Sequence, residues 1–132
     1  MIKRFEPIVG KCGEIVECLM QSEDMPKADD LCFKIRLSVE ETVENVVNYA
    51  YKEGLGYIEI ETKKDGDMLS IILKDGGKPF NPLEKSDPDI TLSVEERPIG
   101  GLGIFLCKQM MDEVQYDFRD GCNILTMKIN LQ

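Results

Sequence analysis

From Ala28 to Tyr51, apolar residues fall at Ile35, Val39, Val43, Val46 and Ala50, the i, i+4, i+8, i+11, i+15 stripe of one helix face. Asp29 or Asp30 is the expected cap. Upstream, Ile15, Leu19 and their neighbours predict a shorter helix over Gly10–Met20, preceded by a short strand in IKRFEPIV. The period then changes. GYIEIETKK alternates every second residue, Asp65-Gly66 is a hairpin turn signal, and MLSIILKD is a more continuously apolar strand, so the three predict a hairpin. Near the end, GIFLCKQMM reads as a helix, and DEVQYDFRDGCNILTMKINL as two strands around Arg119-Asp120-Gly121.

Between Gly76 and Gly101 the chain is rich in Pro, Gly, Asp and Ser, and only a short turn near Thr91 to Glu95 breaks its irregularity. A loop of that length in a small domain is usually functional or disordered. The resulting order β, α, α, β, β, loop, α, β, β predicts an α+β fold. It would be a two-layer sandwich, with helices on one face of a mixed, mostly antiparallel sheet.

Composition narrows the chemistry. At 132 residues and 42% hydrophobic, residues 1–132 fit one globular domain with a real core. Sixteen Lys and Arg against 25 Asp and Glu give a net charge of -9 and leave no basic stripe for nucleic-acid phosphates or an anionic membrane. The five cysteines, odd in number and without a CxxC pair, read as reduced thiols, mostly in the core, of a soluble cytoplasmic protein. The start MIKRFEPIVGK lacks an apolar signal core, and no apolar run approaches the roughly 18 residues of a membrane helix. There is no histidine, which excludes Ser-His-Asp and Cys-His catalysis and His-ligated zinc. A general base would then be a carboxylate.

Three stretches could carry chemistry, each with a plainer alternative. On the long helix, Glu41, Glu44, Asn45 and Asn48 share the face opposite Val39, Val43, Val46 and Ala50, because spacings of three, four and seven residues superpose. A carboxylate there can take a proton and a carboxamide oxygen can ligate Mg²⁺, or the face is simply solvated. In LKDGGKPFNP, Asp75 ends an apolar strand without a partner strand following. It can accept from an exocyclic amine while Gly77 lets a flat ring approach, or the segment is an ordinary turn. In RPIGGLGIFLCKQMMDEV, Gly100, Gly101 and Gly103 precede a helix whose free N–H groups could receive phosphate, or they form a hinge. The stretch is neither a Walker A loop nor a Rossmann fingerprint, since GK[ST] and the third glycine are both missing.

Taken together, EETVENVVNYAY, DGGKPFNP and RPIGGLGIFLCKQMMDEV resemble the three ATP-binding boxes of the histidine-kinase-like ATPases, and more narrowly the bacterial anti-sigma-factor serine/threonine kinases. The resemblance runs from about Asp30 to the carboxyl terminus in the family's box order. It implies that Glu41, in a Glu-x-x-x-Asn pattern, is the catalytic base, and that Asn45 holds Mg²⁺ against the triphosphate of ATP with Asn48 assisting. It further implies that Asp75 binds the adenine amine and Gly77 packs near the base, while Gly100, Gly101, Leu102 and Gly103 wrap the phosphates. Lys78 to Ile99 would be the ATP lid, and Arg97 within it a charge contact for the terminal phosphate. The implied fold holds ATP between helix layer and lid. The implied partners are a small antagonist protein as phosphoacceptor, a sigma factor and a second copy of the chain. A binding module of the same fold, sequestering a partner without phosphorylating it, is the alternative.

Overall fold

A computed structural model describes residues 2–5, 12–47, 56–79, 81–84 and 102–132. Its elements follow the predicted order: β1 (Ile2–Phe5), α1 (Cys12–Met20), α2 (Asp29–Asn45), β2 (Ile58–Asp65), β3 (Met68–Asp75), α3 (Leu102–Met110), β4 (Glu113–Arg119) and β5 (Cys122–Asn130). A 3-10 turn at Pro82–Glu84, which the sequence pattern did not announce, lies between β3 and α3.

The sheet runs β1-β2-β3-β5-β4, and every described pairing is antiparallel, which corrects the expectation of a mixed sheet. The reason is the path after β3. The chain crosses through α3 and re-enters at the far edge as β4, and β5 then folds back into the gap, antiparallel to both neighbours. Turn chemistry fixes both hairpins. Gly66, first of the two residues between β2 and β3, has φ +60, as a type II′ turn requires. Asp120 and Gly121 both have positive φ, at 55 and 76, the signature of type I′.

Alternation then assigns the sheet's faces. Ile58, Ile60, Leu69, Ile71, Leu73, Met127 and Ile129 are buried against Ile15, Val16 and Leu19 of α1 and Ile35, Val39 and Val43 of α2. Intervening strand residues such as Glu59, Glu61, Lys74 and Lys128 stay partly exposed. The predicted stripe of α2 is thus its core face, with Val46 half-buried and Ala50 outside the described residues. Ser38 and Thr42 are also buried, on the side that meets α3.

Two local expectations change. The cap of α2 is Ala28, with extended backbone and no side-chain cap bond; Asp29 and Asp30 sit in the first turn, where the helix dipole still favours them. Of the five free cysteines only Cys107 is fully buried; Cys12, Cys18, Cys32 and Cys122 are half-buried. Among the described residues no helix is long and apolar enough to cross a membrane.

Candidate functional site

The alternation that buries Leu69, Ile71 and Leu73 carries Asp75, at the end of β3, onto the same helix-facing side, where it is 5% exposed. A carboxylate so placed needs donors. Two fall on its Oδ1, the backbone N–H of Gly77 and the side-chain amide of Asn123, each at 2.9 Å. Its Oδ2 accepts no hydrogen bond among the described residues. Burial pushes the Asp75 carboxyl above its ordinary range, and the Asn123 and Gly77 donors oppose that rise.

Asn123 stands directly across from Asp75 in the β3–β5 register. Its amide also donates to the Lys78 carbonyl at 2.8 Å, and its Oδ1 accepts from the Tyr116 hydroxyl of β4 at 2.5 Å. Chemistry dictates which way the amide points. The Asp75 carboxylate and the Lys78 carbonyl only accept, so Nδ2 must face them and Oδ1 is left for the phenol.

Asp75, Asn123 and Tyr116 line one part of a cleft whose remaining lining is Thr42, Asn45 and Val46 of α2, Leu73 and Leu125 of the sheet, and Pro82 of the 3-10 turn. The cleft opens to solvent, and its roughly 440 Å³ of empty space includes that open part. Asn45 therefore borders the buried stripe beside Val46 instead of facing away from it, which modifies the expected opposite face. The Thr42 hydroxyl is satisfied inside the helix, donating to the Ser38 and Val39 carbonyls at 3.0 and 3.1 Å.

Glu41 stands one turn before Asn45 on the same side of α2 and is half-buried, while Glu44 is exposed. Burial pushes the Glu41 carboxyl up, and the nearby Glu44 and Glu40 push it the same way. The last turn of α2 holds no basic residue, so these acids crowd the helix end that the dipole makes least hospitable to them. Among the described residues, no group of three His, Cys, Asp or Glu side chains could hold a metal ion.

Leu102 opens α3 and Gly103 lies within its first turn, one residue earlier than the pattern suggested. A helix beginning there leaves its first four backbone N–H groups without intrahelical acceptors. α3 is fastened to α2 through Cys107, whose Sγ donates to the Ser38 carbonyl at 3.4 Å. Asn48, Arg97, Gly100 and Gly101 lie outside the described residues, as does the turn expected near Thr91 to Glu95. Of the predicted lid, residues 78, 79 and 81–84 are described; there Asn81 Oδ1 accepts from the Leu83 N–H at 2.9 Å and starts the 3-10 turn.

Comparison with known proteins identifies the family. The family described as Histidine kinase-like ATPase domain matches residues 10–129. The chain belongs to that family. A Serine-protein kinase RsbW of Bacillus cereus strain AH187 is 35% identical over 98 residues, covering 71% of this chain and 61% of the relative. One from Bacillus mycoides strain KBAB4 shows the same identity and coverage, so the matched region spans under two thirds of these relatives' length. Among solved structures, the catalytic domain of histidine kinase ThkA is similar with a TM-score of 0.61 at 14% identity, covering 98% of this chain and 97% of that one. The histidine kinase domain of a blue-light activated kinase from Erythrobacter litoralis EL346 gives 0.60 at 17%, covering 91% and 59%. At such identities the likeness is one of fold.

Within this histidine kinase-like ATPase domain, the described parts of the first two candidate stretches converge: Asn45 and Asp75 line one cleft. Sequence reading missed Asn123, Tyr116, Thr42 and Pro82. Asn123 had a signal. In CNILTMKIN it is in phase with the inward-facing Leu125, Met127 and Ile129, and a polar residue in that phase asks for a buried partner.

Proposed function

We propose that this histidine kinase-like ATPase domain is a Mg²⁺-ATP-dependent serine/threonine protein kinase of the anti-sigma-factor type, which phosphorylates a small antagonist protein and switches between partners. The observation that carries the reading is the buried Asp75, whose Oδ2 accepts no hydrogen bond among the described residues and which lines an apolar-walled cleft together with Asn45. An acceptor-only carboxylate suits the exocyclic amine of adenine, and Val46, Leu73, Pro82 and Leu125 suit the faces of a flat ring. The residues also fit magnesium: with no carboxylate cage among the described residues, the Asn45 amide oxygen would be a single hard ligand, leaving other positions to phosphate and water.

In this reading ATP supplies the phosphoryl group. Gly103 and the start of α3 offer backbone N–H groups to phosphate oxygens, and Gly100, Gly101, Leu102 and Arg97 complete that cradle. Glu41 accepts the proton of the incoming hydroxyl, and its raised pKa makes it a stronger base near neutral pH than an ordinary glutamate. Asn48 assists Asn45, and Gly77 lies beside the base. The serine specificity in the names of the RsbW relatives supports hydroxyl transfer here. A cytoplasmic protein with a sigma factor and a second copy of itself as further partners belongs to the same proposal.

The test has two steps. Saturating Mg²⁺-ATP should raise the melting temperature, and no shift would overturn the nucleotide site. An ATP-dependent pull-down from the native cytoplasm, followed by mass spectrometry, should then find phosphorylated serine or threonine on the bound partner. A partner held in an ATP-dependent way but never phosphorylated would replace the kinase with the binding module.

A further inference from the structure

We infer that Asn123, held in place by Tyr116, is the specificity-determining residue of the cleft: it fixes Asp75 so that only Oδ2 is offered to a base, selecting a 6-amino purine over a 6-oxo purine. This rests on the reading of the cleft as a nucleotide site.

The argument is one of hydrogen-bond direction. A carboxylate at a strand end can turn about its last torsion, and because either oxygen only accepts, what must be fixed is the direction in which a lone pair meets the base. Here both donors, the Gly77 N–H and the Asn123 amide, lie on Oδ1 at 2.9 Å. The Gly77 bond is local, spanning two residues, and would follow the carboxylate if the loop shifted. The Asn123 bond comes from the neighbouring strand and does not depend on that loop. Asn123 also holds the Lys78 carbonyl at 2.8 Å, so a single amide fixes both the carboxylate and the chain just beyond it. Tyr116 secures the other end. By donating to Oδ1 of Asn123 at 2.5 Å, it rewards the amide orientation that turns Nδ2 toward Asp75.

The oxygen left over is acceptor-only. It gains a hydrogen bond from a 6-amino group and opposes the lone pairs of a 6-oxo group, the kind of contrast by which buried polar sites discriminate strongly. Asn123 and Tyr116 act through Asp75 and need not touch the base, so they are positioning residues.

The experiment measures Mg²⁺-ATP and Mg²⁺-ITP affinity for the wild-type chain, Asn123→Leu and Tyr116→Phe, with cooperative unfolding confirmed for each. The wild type should favour ATP by about tenfold or more. Asn123→Leu should lose most of that ratio through weaker ATP binding with ITP little changed, and Tyr116→Phe should lose about two- to threefold. A structural role alone would weaken both nucleotides equally, and that result overturns the inference. So does a wild-type ratio near one, or a ratio that survives in the variants. If Asn123→Leu does not fold, the Tyr116→Phe ratio decides. A wild-type chain that binds neither nucleotide overturns the underlying site instead, so the two failures are told apart.

Discussion

The Sγ of Cys107 in α3 donates to the backbone carbonyl of Ser38 in α2 at 3.4 Å, across a seam where both residues are buried. The same carbonyl accepts from Thr42, while the Ser38 hydroxyl itself has no partner among the described residues. Small and weakly polar side chains let α3, the helix behind the glycine box, lie close along α2, which carries Glu41 and Asn45.

An unpartnered buried hydroxyl costs the fold its desolvation and returns nothing. Ser38→Ala should therefore stabilise the protein by about 1 kcal/mol, raising the melting temperature by roughly 3–5 °C. Calorimetry checks this, and a fall of similar size would show that the hydroxyl is satisfied in solution. Burial pushes the Cys107 thiol up to about 12, so it should resist thiol reagents in the native protein and label only on opening.

Replacing Asp75 separates stability from binding. Because burial raises its pKa, the folded state binds a proton more tightly than the unfolded chain, and the group's contribution to stability falls as pH rises above the ordinary value of 3.8. Asp75→Asn can keep both bonds to Oδ1 without a buried charge. It should match or exceed the wild type in melting temperature at pH 7, with the difference closing in acid. An amide NH₂ in place of Oδ2 would face the adenine amine with another donor. ATP affinity should fall about 10- to 100-fold, measured by calorimetric titration. Lower stability at neutral pH together with unchanged affinity would contradict both halves.

How much of this was legible in the sequence follows from where each signal lies. The core face of α2 was readable because its period is local and its buried members, Ile35, Val39 and Val43, are separated by single turns. Asp75 and Asn45 were readable as candidates from a strand end and a polar helix face, each with a plainer alternative, and the family resemblance gave them roles. The contacts that orient Asp75 were not, because Asn123 meets it through strand register between residues 48 positions apart. The cap was misassigned for a related reason: the extended backbone at Ala28 sets the start of α2 without a side-chain bond, so the acids after it looked like better caps.

Gly76 tests the back of the same loop. A Cβ built there would lie 3.1 Å from the Tyr57 ring, whose hydroxyl contacts the Cys122 sulfur at 3.2 Å. Gly76→Ala must push the ring aside and should cost about 1 kcal/mol. Tyr57→Leu in the Gly76→Ala background should recover part of that loss if crowding is the cause. Chemical denaturation of the two single variants and the double variant measures the coupling, and strictly additive effects would assign the cost to backbone conformation instead.

Glu41 is the sharpest test of the proposed chemistry. Its pKa is raised by burial first and by Glu44 and Glu40 after that, so ionised Glu41 weakens the fold as pH rises above the ordinary 4.5. Glu41→Gln removes a charge from the acidic end of α2 and should raise the melting temperature at neutral pH, with the gain shrinking below that value. Binding should survive, because the cleft is lined by Asn45 and Asp75 and not by Glu41. Transfer to the partner hydroxyl should fall by about 10²- to 10⁴-fold, the usual worth of a positioned base. A radiolabelled transfer assay with the captured partner reads this directly. Full activity in a variant that still binds ATP would remove the base from Glu41, while loss of both binding and transfer would show that Glu41 holds the nucleotide complex together. The stability gain depends only on burial and neighbouring charge and should appear in either case, so ATP binding is what tells the two failures apart.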